Sequence, residues 1–227
     1  MKILVACEES QAVCKELRAL GHEAFSCDLL ECSGGHPEWH IKQDVLPLLN
    51  GKCSFYTMDG IQHLLKTKWD LIISHPTCTH LSSSGQWAYK KGKPLSLRED
   101  GINFFMKFIN ADCDRIAVEN PVGIMSTIYR KPDQIIQPYY FGDKAQKTTC
   151  LWLKGLPLLK PTNIVEKGEF IEWVDKKTGR IKRQSKYDID ILKKAKTPEE
   201  RSRLRSKTFP GVAKAMATQW AGKNDTN

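Results

Sequence analysis

The sequence lacks any apolar run long enough to cross a membrane. No stretch of the 227 residues approaches the ~18 consecutive apolar residues that a spanning helix needs. Met1 and Lys2 lead directly into a strand pattern, without the apolar leader of a secretory signal. A chain of this length can bury one full core and still carry a small appendage. We therefore expect a cytoplasmic protein with no membrane partner and one main domain.

The cysteines lack the spacing of a disulfide framework or of a zinc site. Eight cysteines are scattered along the chain and none forms a Cys-x-x-Cys pair. This distribution predicts free thiols in a reducing compartment and no metal. The alternative is a metal bound by His75, Cys78 and His80, but no such pair supplies the remaining ligands.

Acidic residues are too few to balance the basic ones. The net charge is +9, and residues 160–207 hold 15 Lys and Arg against 8 Asp and Glu. A local excess of this kind is typical of a surface that binds a polyanion, most simply nucleic acid. A solvated basic surface without a partner is the alternative.

Two segments of similar design organise the centre of the chain. Trp69 to Ile73 has the composition of a buried parallel strand, and Pro76, Cys78 and a Ser-rich run follow it. Ile116 to Val118 is a second apolar strand, followed by Glu119, Asn120 and a proline. Open α/β sheets hold ligands at the carboxyl edge of their strands. The pattern therefore predicts a thiol and a carboxyl group at one crevice.

These motifs resemble those of the DNA cytosine-5 methyltransferases. The segment PTCTHLSSSG at 76–85 is similar to the family's Pro-Pro-Cys-Gln-x-Phe-Ser-x-x-Gly loop, and Glu119-Asn120 is similar to its Glu-Asn-Val. The resemblance implies that Cys78 adds to carbon 6 of cytosine, that Glu119 protonates or hydrogen-bonds N3, and that Asn120 orders the loop. Glu119 would need a raised pKa to act as this acid. The target base must be flipped out of a duplex or already be single-stranded.

The N-terminal region has the order of a nucleotide-binding half. A strand at 3–6, a helix from a Ser10 cap to about Leu20, and a strand at 23–27 lead to an acid, Asp28. The resemblance implies S-adenosyl-L-methionine as cofactor, held by Cys7, Glu8, Asp28, Asp44 and Pro76. The family's Gly-rich first loop is replaced by ACEESQ at 6–11, in which Glu8 could face the cofactor's ammonium group. Capping of the next helix is the alternative role of Asp44.

Residues for the DNA substrate follow from the resemblance and from charge. We expect substrate contacts from Thr79, Ser82, Gln146, Lys147, Lys182 and Arg183. Thr148 and Cys150 stand where the family has arginines, which leaves Lys147 as the nearest cation. A predicted hairpin at 170–184 carries Lys182 and Arg183, which would contact phosphates with little base discrimination. A homodimer or a partner subunit would then supply sequence recognition.

The remaining local patterns complete the prediction. We expect a hairpin at 53–65, a mobile basic loop at 86–94, a helix at 97–110, a helix starting at Pro121 or soon after, a charged helix at 197–205 and a terminal helix from about 209 to Trp220.

The predicted architecture is α/β, a class I methyltransferase-like (Rossmann-like) fold with a mostly parallel sheet and helices on both faces. Residues 1–157 form the catalytic core, 158–207 a small basic target-recognition-like insert, and 208–227 a helix returning to the core. The predicted function is methylation of carbon 5 of cytosine in DNA, in a restriction-modification or related setting. The alternatives are a catalytically silent relative with a regulatory or anti-defence role, and a base-modifying enzyme with another donor or a free nucleotide.

Overall fold

A seven-stranded sheet forms the centre of the computed structural model, which describes residues 1–222. The end of the predicted terminal segment, 223–227, lies outside it. The strands are β1 (Lys2–Ala6), β2 (Glu23–Asp28), β3 (His40–Lys42), β4 (Cys53–Tyr56), β5 (Gln62–Leu65), β6 (Leu71–Ser74), β7 (Ile116–Pro121), β8 (Gln134–Ile136), β9 (Thr149–Lys154), β10 (Phe170–Val174) and β11 (Ile181–Ser185). The helices are α1 (Ala12–Ala19), α2 (Trp87–Lys90), α3 (Ser96–Ile109), α4 (Met125–Ile128), α5 (Lys186–Lys194), α6 (Pro198–Ser206) and α7 (Pro210–Ala221).

The order of the central sheet is β3-β2-β1-β6-β7-β9-β8. Strands β1, β2, β3, β6 and β7 run parallel, whereas β9 is antiparallel to both of its neighbours, β7 and β8. The strand order reverses between β1 and β6, and such a switch point opens a crevice at the carboxyl edge of the sheet. The predicted mostly parallel, Rossmann-like α/β fold is confirmed.

Alternating side chains divide the core into two layers. Ile3 and Val5 of β1 pack with α1 and α7, where Trp220 is fully buried. Leu4 and Ala6 point to the other face and pack with α3 through Phe105 and Phe108. Burying one large apolar side chain contributes about 1.5–3 kcal/mol. The two layers therefore fix which face of the sheet each side chain of a strand points to.

Several local predictions are confirmed, and others need correction. Hairpins β4–β5 and β10–β11 and helices α3, α6 and α7 lie where the patterns placed them. The predicted mobile loop at 86–94 contains the short helix α2, and β7 continues through Pro121, so the next helix, α4, begins only at Met125. Helix α5 and strand β8 were not predicted. None of the helices in the described part of the chain is both long and apolar enough to cross a membrane.

The basic segment consists of one hairpin and two helices. Strands β10 and β11 pair with each other, separately from the central sheet, and α5 and α6 follow. The segment meets the core where Tyr187 of α5 packs on Phe209, with ring centroids 4.8 Å apart. Lys147 Nζ also donates to the Arg205 carbonyl of α6 at 2.9 Å. The segment is thereby anchored beside the residues that follow β8.

Candidate functional site

The Cys78 loop and the end of β7 are held together at the carboxyl edge of the sheet. Asn120 is 2% exposed, and its Nδ2 donates to the Pro76 carbonyl at 2.7 Å. A second link pairs the loop with the segment after β7, since Ile124 N donates to the Leu81 carbonyl at 2.9 Å. Only glycine fits at Gly123, because a Cβ there would lie 2.1 Å from that same Leu81 oxygen. Residues 44 positions apart in sequence are thus fixed in one wall of the crevice.

Cys78 is half-buried on this loop. Its carbonyl accepts the Leu81 and Ser82 backbone N–H groups, which curls the chain into a tight turn. Burial raises the pKa of the Cys78 thiol, the charge of Glu119 raises it further, and Lys147 and Arg205 act in the opposite direction. The thiol is therefore within electrostatic reach of Glu119 and of two cations, and it is protonated at neutral pH.

Glu119 forms a close pair with a histidine that the sequence reasoning had not assigned to it. His75 Nδ1 lies 3.0 Å from Glu119 Oε2, and the two side chains are 8% and 16% exposed. Burial favours the neutral acid and would raise the pKa of Glu119, but the hydrogen bond and charge of His75, with Lys147, outweigh it and lower the pKa. The expectation of a raised pKa at Glu119 is therefore wrong in this structure.

Lys147 lies beside Glu119 in a small pocket of mixed character. The pocket is lined by Glu119, Ile136, Pro138, Lys147, Thr149, Thr208, Phe209, Val212 and Met216. The Lys147 ammonium is 6.0 Å from the centre of the Phe209 ring and influences both Cys78 and Glu119. Arg205, 58 residues further along the chain, adds a second cation near Cys78. The sequence alone had left Lys147 as the nearest cation.

The first loop forms the other side of the crevice, where Cys7, Asp28 and Asp44 lie close together. Cys7 has φ of +59°, a backbone conformation that favours glycine. Burial raises the pKa of the Cys7 thiol well above its usual range, and Asp28 and Asp44 add to the effect. Burial likewise raises the pKa of Asp28. Asp28 and Asp44 each accept a backbone N–H two residues ahead, from Leu30 and Leu46.

Glu8 differs from the expectation, and Glu9 beside it is buried. Glu8 accepts the backbone N–H groups of Val13 and Cys14 at 2.7 and 3.2 Å, so it caps α1 in place of the predicted Ser10. The Glu8 carboxylate therefore lies against the helix rather than facing outward toward an ammonium group. Glu9 is 6% exposed, and both of its carboxylate oxygens are buried without a hydrogen-bond partner in the described chain. Buried carboxylates without a partner are costly, and Glu9 lies within electrostatic reach of Asp28.

The remaining predicted substrate residues divide between two places. On the Cys78 loop, Thr79 is exposed and its hydroxyl lies 3.3 Å from that of Thr77. Ser82 on the same loop is half-buried, with its hydroxyl 3.3 Å from that of Ser84. Gln146 is half-buried beside Lys147. Lys182 and Arg183 lie on β11. There Lys182 pairs with Asp175, and the Arg183 guanidinium lies 4.4 Å from the centre of the Phe170 ring. The hairpin charges thus find partners within the hairpin itself.

Two residues of the crevice, Glu9 and Arg205, had not been singled out from the sequence, and His75 had been considered only as a possible metal ligand. His75 had a usable signal, because it directly precedes Pro76 at the end of a predicted strand. Glu9 belongs to the first loop, whose backbone path no local pattern determines. Arg205 gave no signal, since its approach to Lys147 depends on how the basic segment folds back onto the core.

Comparison with known proteins relates this chain to solved structures only at low sequence identity. No protein-family model matches the chain, and no curated protein matches it. Among solved structures, the chain is similar to one described as a candidate DNA modification methyltransferase encoded within a prophage, from E. coli. The two share 14% sequence identity with a TM-score of 0.44. The match covers 73% of this chain, which spans about half, 52%, of the length of the E. coli chain.

Proposed function

We propose that this protein is an S-adenosyl-L-methionine-dependent methyltransferase that acts on carbon 5 of cytosine in DNA through a covalent adduct with Cys78. One observation carries the proposal: Cys78 and Glu119 come from the ends of neighbouring parallel strands and share one electrostatic environment. The Asn120–Pro76 hydrogen bond at 2.7 Å keeps the two ends together. A thiol beside an acid suits nucleophilic addition to a pyrimidine that needs a proton at N3.

The proposed chemistry assigns a role to each group. The Cys78 thiol gives up its proton to solvent, and the thiolate forms a bond to carbon 6 while N3 takes a proton from the Glu119 side. The ring becomes an enamine whose carbon 5 is nucleophilic. Once carbon 5 carries the methyl group, its own proton leaves to solvent, the ring electrons reform the double bond and expel the thiolate, and N3 returns its proton to the Glu119 side. Lys147 and Arg205 favour the thiolate by their charge, and Thr79, Ser82 and Gln146 contact the base or its backbone.

The residues of the first loop fit an adenosine-containing cation. When bound, S-adenosyl-L-methionine supplies the methyl group as an electrophile. In this proposal, Asp28 accepts from the ribose hydroxyls, Asp44 accepts from the adenine amino group, and Cys7 and Pro76 border the site. The negative charge that a sulfonium donor requires comes from Asp28 and from Glu9, whose buried carboxylate has no partner among residues 1–222. Glu8 acts indirectly, by fixing α1 against the loop.

The basic segment provides the contact with DNA in this proposal. Residues 1–157 act as the catalytic core, residues 158–207 serve as a compact target-recognition-like insert, and α7 returns the chain to the core. Lys182 and Arg183 bind phosphates, which gives affinity with little sequence discrimination. A second copy of the chain or a partner subunit supplies the rest of the recognition, and the flipped base enters beside Cys78.

Transfer of labelled methyl groups to mixed-sequence DNA tests the proposal. Wild-type protein is expected to label the DNA and to form a stable adduct with DNA containing 5-fluorocytosine. Cys78→Ala should abolish both while leaving DNA binding intact. Cys53→Ala is the matched control, because Cys53 is also half-buried but lies on the β4–β5 hairpin. An absence of adduct with the wild-type protein would refute the cysteine mechanism.

One observation favours a second candidate function, that of a catalytically silent relative with a regulatory or anti-defence role. Cys78 has a raised pKa and Glu119 a lowered one, so each side chain is in the protonation state opposite to the one that addition requires. Salt-sensitive binding of DNA, or binding of an S-adenosyl-L-methionine analogue, without any methyl transfer would favour this alternative.

A further inference from the structure

His75 lies between the two sides of the crevice. It follows the last residue of β6, and its backbone N–H donates to the Ala6 carbonyl of β1 at 2.9 Å. Its imidazole reaches across to β7, with Nδ1 3.0 Å from Glu119 Oε2. The side chain is 8% exposed, and Nε2 is buried without a hydrogen-bond partner within residues 1–222.

Charged and titratable groups face this imidazole from each element packed around it. Glu119 of β7 is hydrogen-bonded to it, and Glu8 of the first loop lies within electrostatic reach. Cys78, on the same loop as His75, and Lys147, before β9, both interact with Glu119. An ionised carboxylate only accepts hydrogen bonds, so the short contact requires a proton on Nδ1. An imidazolium here would carry its charge between two carboxylates.

We propose that His75 is a positioning residue that stores the proton which Glu119 delivers to N3 of the target base. This inference rests on the proposed function. As the Cys78 sulfur bonds to carbon 6, the Nδ1–H bond of the His75 imidazolium breaks and the proton passes to Glu119, which transfers a proton to N3. When carbon 5 loses its proton and the thiolate leaves, the proton on N3 returns to Glu119 and then to His75. Atoms and charge balance over the cycle, because the methyl cation equivalent gained at carbon 5 is matched by the proton that carbon 5 loses to solvent. The thiol proton that Cys78 releases to solvent at the start is recovered when the expelled thiolate is protonated again.

The surroundings of Glu119 make such a store necessary. The lowered pKa keeps this carboxyl ionised near neutral pH, so Glu119 alone holds no proton to give. A neutral amide at position 75 would preserve a hydrogen bond to Oε2 but could carry no additional proton. The structural and proton-storing roles of His75 can therefore be separated by substitution with asparagine.

The test measures single-turnover methyl transfer by wild type and His75→Asn across a pH series. We expect a deficit of ~10²-fold near pH 7, in line with typical general acid–base contributions. The deficit should shrink toward pH 5, because without His75 the pKa of Glu119 rises and solvent can protonate it. A purely structural role would give the same deficit at every pH, and that result would overturn the proposal.

His80→Asn provides the matched control. His80 lies on the same loop, but its imidazole bonds the Tyr89 hydroxyl at 2.8 Å instead of a carboxylate. We expect its rate to differ from that of wild type by a constant factor across the pH series. A deficit that shrinks toward low pH in both histidine variants would also overturn the proposal, since the effect would not depend on Glu119.

A second measurement separates this inference from the proposed function. Carbon-13 NMR of labelled glutamate carboxyls follows Glu119 directly, with Glu119→Gln used to assign its resonance. The pKa of Glu119 should rise in His75→Asn and stay unchanged in His80→Asn. If the pKa of Glu119 is unchanged in His75→Asn, the proposal that His75 stores the proton is refuted, whether or not the wild type methylates DNA. A shifted titration in a protein that transfers no methyl group would leave the pair intact and refute the proposed function instead.

Discussion

The hydrogen bond between Asn120 and Pro76 provides the sharpest test of how this crevice is built. Asn120→Ala removes a buried donor that lies 2.7 Å from the Pro76 carbonyl, and Pro76 itself is buried. A lost hydrogen bond costs ~0.5–1.5 kcal/mol, and leaving a buried acceptor unsatisfied costs ~1–3 kcal/mol. Because the Pro76 acceptor is buried, the larger cost applies, and we expect a loss of about 2–3 kcal/mol in the free energy of unfolding. For a chain of this length, the corresponding fall in Tm is about 5–10 °C.

Urea denaturation followed by circular dichroism measures this loss, and Asn50→Ala is the matched control. The Asn50 side chain also forms a hydrogen bond to the backbone, in which it accepts the Asp112 N–H at 3.0 Å, but this bond is exposed. Its removal should cost no more than about 0.5 kcal/mol. A loss of the same small size for Asn120→Ala would refute the view that this bond joins the Cys78 loop to β7. In the folded variant, adduct formation should fall more than DNA binding.

Two further predictions concern charge. Glu119→Gln should have a lower free energy of unfolding than wild type at neutral pH, because the lowered pKa of Glu119 means that its ionised form stabilises the folded state. This stability is lost as the pH falls through the pKa of Glu119 in the folded state. The difference between the two proteins in urea titrations should therefore close below about pH 4.3. In DNA binding, Arg183→Gln should reduce the slope of log affinity against log salt concentration by about 0.9. Lys182→Gln should reduce this slope by less, because Asp175 already neutralises Lys182. Equal slopes for the two hairpin variants would contradict this reasoning.

The sequence predicts those parts of the fold that depend on local periodicity. The apolar runs of β1, β6 and β7 and the hairpins β4–β5 and β10–β11 were predictable because each is determined by its own residues and turns. Cys78 likewise lies after β6 as predicted, whereas Glu119 lies within β7 and not after it. The His75–Glu119 pair was missed because it joins residues 44 positions apart whose approach depends on the order of β6 and β7. The switch from Ser10 to Glu8 as the cap of α1 depends on the path of the first loop, which no periodic pattern encodes.

The backbone of that first loop is strained, and the loop contains no glycine. Cys7 and Gln11 both adopt left-handed φ values, +59° and +56°, each at a cost of about 1–2 kcal/mol for a non-glycine residue. The Gln11 side chain offsets part of this cost, because Nε2 donates to the His36 carbonyl at 2.8 Å and Oε1 accepts the His36 N–H at 3.1 Å. The backbone of Gly34 packs closely against Gln11, because a Cβ at position 34 would lie 2.6 Å from the Cβ of Gln11. The position that requires glycine therefore lies in the loop after β2, while the loop after β1 reaches its left-handed backbone conformation without glycine.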